Sequence, residues 1–145
     1  MNSSRLGTLS AAALLAAASG CDAPESCVVS GRVLVDDRPA EGVYVLFRTA
    51  GDATGLPDSG SARTGEDGSF TAVVSTPGEA TVTAFWPKVT VMDQDVIEGP
   101  DRLLGAYRDP RIPAATLTIG RGANDAPPIK LTTPSRGRSR TSSHR

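Results

Sequence analysis

From Val28 onward, apolar and polar positions alternate in short runs, each closed by a glycine, a proline or an acidic turn. Val28-Val29-Ser30-Gly31-Arg32-Val33-Leu34-Val35 alternates imperfectly and is rich in β-branched residues, which predicts a strand. A turn over residues 36–42 leads into a second strand, Val43-Tyr44-Val45-Leu46-Phe47-Arg48, and a Gly-rich loop over residues 49–60 follows. Glu66-Asp67-Gly68 predicts a hairpin, because Asp-Gly tolerates the positive φ of a tight turn between twisted strands. Residues 69–74 continue as a strand, and after Thr76-Pro77-Gly78 residues 80–86 alternate clearly. The pattern then loosens. Val89-Thr90-Val91 extends a strand, while residues 92–113 are charged and broken by proline, with a helical turn expected over 101–106. Order returns with Ala115-Thr116-Leu117-Thr118-Ile119, a turn over 120–124 and Pro128-Ile129-Lys130-Leu131. Six or seven short strands between Gly/Pro turns predict an all-β domain: a single antiparallel Greek-key β-sandwich of about seven strands.

Composition agrees with short strands and many turns, since the chain has 15 Gly and 11 Pro. Only 4% of residues are aromatic, so the core must be built mainly of Val, Leu, Ile and Ala. Phe70, Phe85 and Trp86 are the large apolar side chains, and core packing is expected of them. Phe85 and Trp86 are neighbours on one predicted strand and must face opposite sides, so one of them is a candidate for exposure. Trp86 is singled out as a candidate surface contact for sugar or peptide; the other reading packs it under residues 92–113. Gly42 and Gly68 fall where a strand begins after a turn, a place for positive φ or a bulge.

The N-terminus reads as an address. Residues 1–5 carry one Arg, and residues 6–18 are uncharged and mostly Ala and Leu. A helix of that length spans roughly 20 Å, short of the ~30 Å hydrocarbon core, so a signal peptide fits better than a membrane span. Ala18-Ser19-Gly20-Cys21 resembles the lipobox of bacterial lipoproteins, with Ala18 where that family prefers Leu. The resemblance implies cleavage between Gly20 and Cys21 and acylation of Cys21, giving a membrane-lipid partner. Two or three acyl chains, at ~0.8 kcal/mol per buried methylene, anchor stably where one would not. The alternative is an ordinary secreted protein cut after Ala18 or nearby, with Cys21 free or bridged to Cys27. The expected organisation is a signal peptide over 1–20, an acylated Cys and tether over 21–27, a domain over 28–132 and a disordered basic tail over 133–145. The expected location is the cell envelope, on a periplasmic or outer face.

Two groups of residues carry a second resemblance. Val29-Ser30-Gly31-Arg32-Val33, followed by Arg38-Pro39-Ala40-Glu41-Gly42-Val43-Tyr44-Val45, is similar to the opening of carboxypeptidase regulatory-like domains of the transthyretin-like group. Thr64-Gly65-Glu66-Asp67-Gly68-Ser69-Phe70 continues the match, with Gly65 where Asp is usual. Tyr107-Arg108-Asp109-Pro110, Leu117-Thr118-Ile119 and Gly122-Ala123-Asn124 resemble the end of bacterial lipoproteins built on this domain. The resemblance implies a transthyretin-like sandwich serving as an accessory, adhesion or spacer unit.

Charge and chemistry narrow the functions. Residues 1–20 hold one Arg and residues 133–145 four, which leaves ten basic against sixteen acidic side chains between them. Such a body binds nucleic acid poorly, and no nucleic-acid partner is expected. The tail bearing Arg136, Arg138 and Arg140 lacks apolar residues to order it; its functional reading is electrostatic contact with anionic lipid, polysaccharide or nucleic acid. The single histidine, His144, lies in that tail, and no metal site, cofactor or catalytic residue is expected. Asp36/Asp37, Glu66/Asp67 and Asp93/Asp95 read as solvated turn acids. The chain is accordingly expected not to be an enzyme, but a binding or structural module with another envelope protein or a glycan as partner. Two alternatives remain: a small-ligand carrier of transthyretin type, and a glycan hydrolase using two carboxylates ~5–10 Å apart.

Overall fold

The computed structural model describes residues 26–50 and 59–135. Its strands are β1 (Cys27–Val35), β2 (Arg38–Pro39), β3 (Tyr44–Thr49), β4 (Gly60–Arg63), β5 (Ser69–Val74), β6 (Gly78–Phe85), β7 (Pro87–Met92), β8 (Asp95–Asp101), β9 (Ala115–Ile119), β10 (Gly122–Asp125) and β11 (Ile129–Leu131). The fold class is all-β, as the alternation predicts.

Two sheets enclose the core. The first is organised on β1, which pairs antiparallel with β5 and then β2 along one edge. Along its other edge β1 pairs parallel with β10 and then β11. The second sheet has the order β4-β3-β6-β9 and is antiparallel throughout. Alternation sends Val29, Val33, Phe70, Ala72 and Val74 of the first sheet, and Val45, Phe47, Ala80, Val82 and Ala84 of the second, into one buried cluster. The Phe47 and Phe70 rings meet across the gap at 6.0 Å between centroids. The core is therefore Val- and Ala-rich, as the low aromatic content requires. Cys27 is buried at the start of β1, opposite Val74 and Gly122, and is unbridged.

Three features depart from the sequence reading. The parallel pairing of β1 with β10 and β11 breaks the all-antiparallel expectation, because the chain crosses from the second sheet to the far edge of the first after β9. Asn124 fixes that crossing: its side chain accepts from Gly120 N (2.8 Å) and donates to the Gly120 (2.8 Å) and Gly122 (3.1 Å) carbonyls. Second, the loosely patterned stretch holds a full hairpin, β7–β8, closed by Asp93 and Gln94 at φ 47° and 82°. Both central residues are left-handed, the geometry that matches strand twist, yet neither is glycine, so the usual signature is missing. Third, residues 101–106 form successive i to i+3 turns rather than a helical turn, because Leu104 and Gly105 have φ of 53° and 77°.

Of the two turn glycines marked in the sequence, Gly42 has φ 78° and Gly68 φ 73°. At Gly68 a Cβ would also lie 2.7 Å from the Val33 carbonyl oxygen. Gly68→Ala is expected to cost about 2 kcal/mol in urea unfolding, through left-handed strain and this clash. Gly65→Ala, where a Cβ meets no atom closer than 3.7 Å, is the control and is expected to change stability by less than about 1 kcal/mol. Equal costs at both positions would show that backbone strain at Gly68 does not matter.

Candidate functional site

A nine-residue strand is roughly 30 Å long, so the two ends of β1 define two poles. At the Cys27 end, Gly122 N donates to the Ser26 carbonyl (3.0 Å) and Ser75 N to the Ser59 carbonyl (2.8 Å). At the Val35 end lie Asp36, Arg38, Ala40, Trp86, Arg102 and Thr133, which share a cleft. Thr133 is fixed there because its backbone N–H (3.1 Å) and hydroxyl both donate to the Asp36 carboxylate. These hydrogen bonds, the hydroxyl's first, hold Asp36 below the ordinary carboxylate range against a small effect of burial.

Asp101 organises this second pole. Its Oδ1 accepts from Trp86 N (2.8 Å) and Leu103 N (2.9 Å), and its Oδ2 from Gly105 N (3.0 Å) and Arg108 Nε (3.3 Å). Only 8% of its side chain is exposed. Burial works to raise its pKa, but the three backbone donors and Arg108 together outweigh burial and hold it below the usual range. One carboxylate thus closes the root of the β7–β8 hairpin, shapes the turn after it and orients Arg108. Arg102 N donates in turn to the Trp86 carbonyl (2.7 Å).

The result is a layered arrangement on each side of β6. Trp86 is half-buried against the core, donates its indole N–H to the Glu41 carbonyl (2.9 Å) and carries the Arg102 guanidinium 3.7 Å from its ring centroid. Phe85 points the other way. Its ring stacks on Tyr44 at 4.7 Å with 9° between planes, Arg108 lies 4.6 Å over Phe85, and Arg63 lies 5.5 Å over Tyr44. The Tyr44 hydroxyl donates to Glu98 Oε1 (2.6 Å), which fastens the hairpin to this row. That hydrogen bond, more than burial, raises the Tyr44 pKa. Of the three large apolar residues expected in the core, Phe70 is there, Trp86 is at its margin and Phe85 is outside it, on the outer sheet face.

Three open clefts meet at Arg102. One of about 460 Å³ includes Glu41, Arg63, Trp86 and Lys88. A second of about 500 Å³ includes Asp36, Arg38 and Trp86, and a third of about 600 Å³ includes Lys88, Asp101 and Pro134. Arg32, Arg108 and Arg111 are ion-paired with Asp67, Asp101 and Asp109. Arg38, Arg63, Lys88 and Arg102 make no ion pair among the described residues. Each cleft also has one acid, Glu41, Asp36 and Asp101 in turn; Asp101 is paired with Arg108, while the Thr133 hydrogen bonds position the Asp36 carboxylate and keep it ionised. The surface is suited to recognising anionic groups, and Arg102 is common to all of it.

Gly20 and Cys21 lie outside the described residues. Trp86 is at the pole just described, with its outer face covered by Arg102, so a ligand there meets a guanidinium before it meets bare indole. The three acid pairs lie on three different turns: Asp36/Asp37 between β1 and β2, Glu66/Asp67 before β5, and Asp93/Asp95 at the tip of β7–β8. Among the described residues no group of three or more His, Cys, Asp or Glu could hold a metal ion. Sequence reasoning passed over Asp101 and Arg102. The available signal was Asp101 followed by Gly105, since aspartate readily accepts from backbone N–H groups two to four residues on.

No family model and no curated protein matches the chain. Among solved structures it is similar in fold to a 9R-lipoxygenase from Cyanothece, at 12% identity and TM-score 0.44, over 74% of this chain and 16% of that one. It is also similar to a DUF3823 family protein from Parabacteroides merdae, at 17% and 0.41, over 76% of this chain and 47% of that one. A third likeness is to the dioxygenase domain of a dioxygenase carbohydrate-binding protein fusion from a cellulolytic Streptomyces, at 21% and 0.40, over 80% and 85%. The chain spans less than half the length of the first two. Two of the three are an enzyme and an enzyme domain, which corrects the expectation that the chain is not an enzyme: that exclusion is withdrawn. Likeness at this level assigns no activity.

Asp101 gives a pH prediction. Its pKa is depressed in the folded state, so its stabilisation is complete above the unfolded value of about 3.9 and is lost as pH falls through the folded one. Thermal melts of the wild type are expected to drop more steeply below about pH 4 than those of Asp101→Asn. Asp101→Ala, which strips the partners from three backbone donors, is expected to cost about 2 kcal/mol at neutral pH and to alter the fluorescence of Trp86, the only tryptophan. Parallel acid limbs for wild type and Asp101→Asn would remove the hub role.

Proposed function

We propose that the chain is a cell-envelope lipoprotein, cleaved between Gly20 and Cys21 and acylated on Cys21, whose β-sandwich is a binding or structural module. The observation that carries the reading is the arrangement of the two poles. The tether after Cys21 enters β1 at Cys27, while the clefts around Arg102 lie at the other end of the strand. An anchor at one pole leaves the cationic clefts directed away from the membrane, where a glycan or another envelope protein can reach them. The carboxypeptidase regulatory-like resemblance supports the module half of the reading: its turn glycines Gly42 and Gly68 have left-handed φ, and its Phe70 is a core residue.

Incorporation of a labelled fatty acid, followed by membrane fractionation, tests the anchor. The wild type is expected to carry label and sediment with membranes, and Cys21→Ser to lose the label and become soluble. An unlabelled, soluble wild type would overturn the anchor and leave a freely secreted sandwich.

A further inference from the structure

We infer that the three clefts meeting at Arg102 form one extended site for an acidic polysaccharide, with Arg102 as the residue that grips a carboxylate of the chain. The inference deepens the envelope-module reading and rests on it for the kind of polymer the clefts meet.

The region between residues 21 and 132 has ten basic and sixteen acidic side chains, so its cations should find partners. Arg32, Arg108 and Arg111 do; of the cations that make no ion pair among the described residues, Arg121 and Lys130 lie elsewhere, whereas Arg38, Arg63, Lys88 and Arg102 gather at the clefts. The clefts hold these four cations beside the acids Glu41, Asp36 and Asp101, and Asp101 is already paired with Arg108, so an arriving anion meets a modest local excess of positive charge.

Arg102 is also preorganised. Its guanidinium rests on the Trp86 ring at 3.7 Å, and its backbone is fixed by the bond from its N–H to the Trp86 carbonyl. Its side-chain N–H groups donate to no protein acceptor among the described residues. A planar fork held in this way is suited to bidentate capture of a carboxylate, and little conformational entropy is lost when it binds.

The shape selects a polymer over a compact ligand. A small-molecule site encloses most of its ligand; here three open clefts adjoin through one residue, with Arg38, Arg63 and Lys88 distributed among them. Repeated weak charges along a chain match that layout.

The test uses the purified full chain, with Trp86 fluorescence as the binding signal, at near-physiological salt. Polygalacturonate is expected to bind and shift the emission, whereas neutral dextran is not. Arg102→Ala is expected to weaken binding about tenfold, and Arg102→Lys, which keeps the charge but loses the fork, about threefold. Lys88→Ala, outside the Trp86 stack, gives a second measure if Arg102→Ala folds poorly, with an expected loss of about threefold. Arg121→Ala, on an exposed turn, is expected to bind as wild type does. Absence of polygalacturonate binding, or undiminished binding by Arg102→Ala and Lys88→Ala, would overturn the inference. So would polyphosphate binding as tight as polygalacturonate with Arg102→Lys unchanged, because charge alone would then explain the signal. A labelled, membrane-bound protein that fails to bind polygalacturonate would sink the polysaccharide and spare the anchor; a soluble, unlabelled protein that binds it would do the reverse.

Discussion

The Asp101 carboxylate ties the chain just after β6 to the turn that follows the β7–β8 hairpin, beside the Arg102 N–H to Trp86 carbonyl bond and the buried Leu103 side chain. It accepts from the backbone at the end of β6, from the turn at Leu103 and Gly105, and from Arg108. Each hydrogen bond to a charged acceptor in a mostly buried place is worth more than a neutral one, and loss of the acceptor would strand several backbone donors together. The consequence reaches beyond the turn itself. Arg102 on Trp86 and Arg108 on Phe85 take their positions from the residues on either side of this one anion, so the cationic surface depends on a buried negative charge.

The sandwich was legible in the sequence because its physics is local. Period-two alternation in β1, β3, β5 and β6 marks which residues face inward, and Gly42 and Gly68 mark turns that only a left-handed residue can make. What escaped has non-local causes. The parallel pairing of β1 with β10 and β11 depends on where a crossing chain lands, and alternation is silent about strand order. The β7–β8 hairpin escaped because it has no inward face: residues 88–100 are all exposed, so burial imposes no pattern on them. Its turn, Asp93-Gln94, also lacks the glycine that would have announced it.

The site was half visible. Trp86 stood out as the only tryptophan, and adjacency with Phe85 required the two to part. Which ring turned outward depended on the register of β6 against β3, where Phe85 lies opposite Tyr44. Arg102 could not be read as its partner, since sixteen residues of sequence separate them and the contact exists only after the hairpin has closed. The general lesson concerns polar clusters: their members are brought together by topology, whereas core residues advertise themselves one strand at a time.

The hairpin has a further consequence. Val91, Met92, Val96 and Ile97 are each about half or more exposed and contribute nothing to the core cluster, and an isolated two-stranded hairpin is marginal in water. Its persistence is borrowed from its root, at Asp101 and at the Glu98–Tyr44 bond. Length and sequence beyond that root are therefore nearly free of constraint from folding. Insertions, deletions and exchanges there leave the sandwich's thermodynamics almost untouched, which makes this the part of the molecule that evolution can remodel most cheaply.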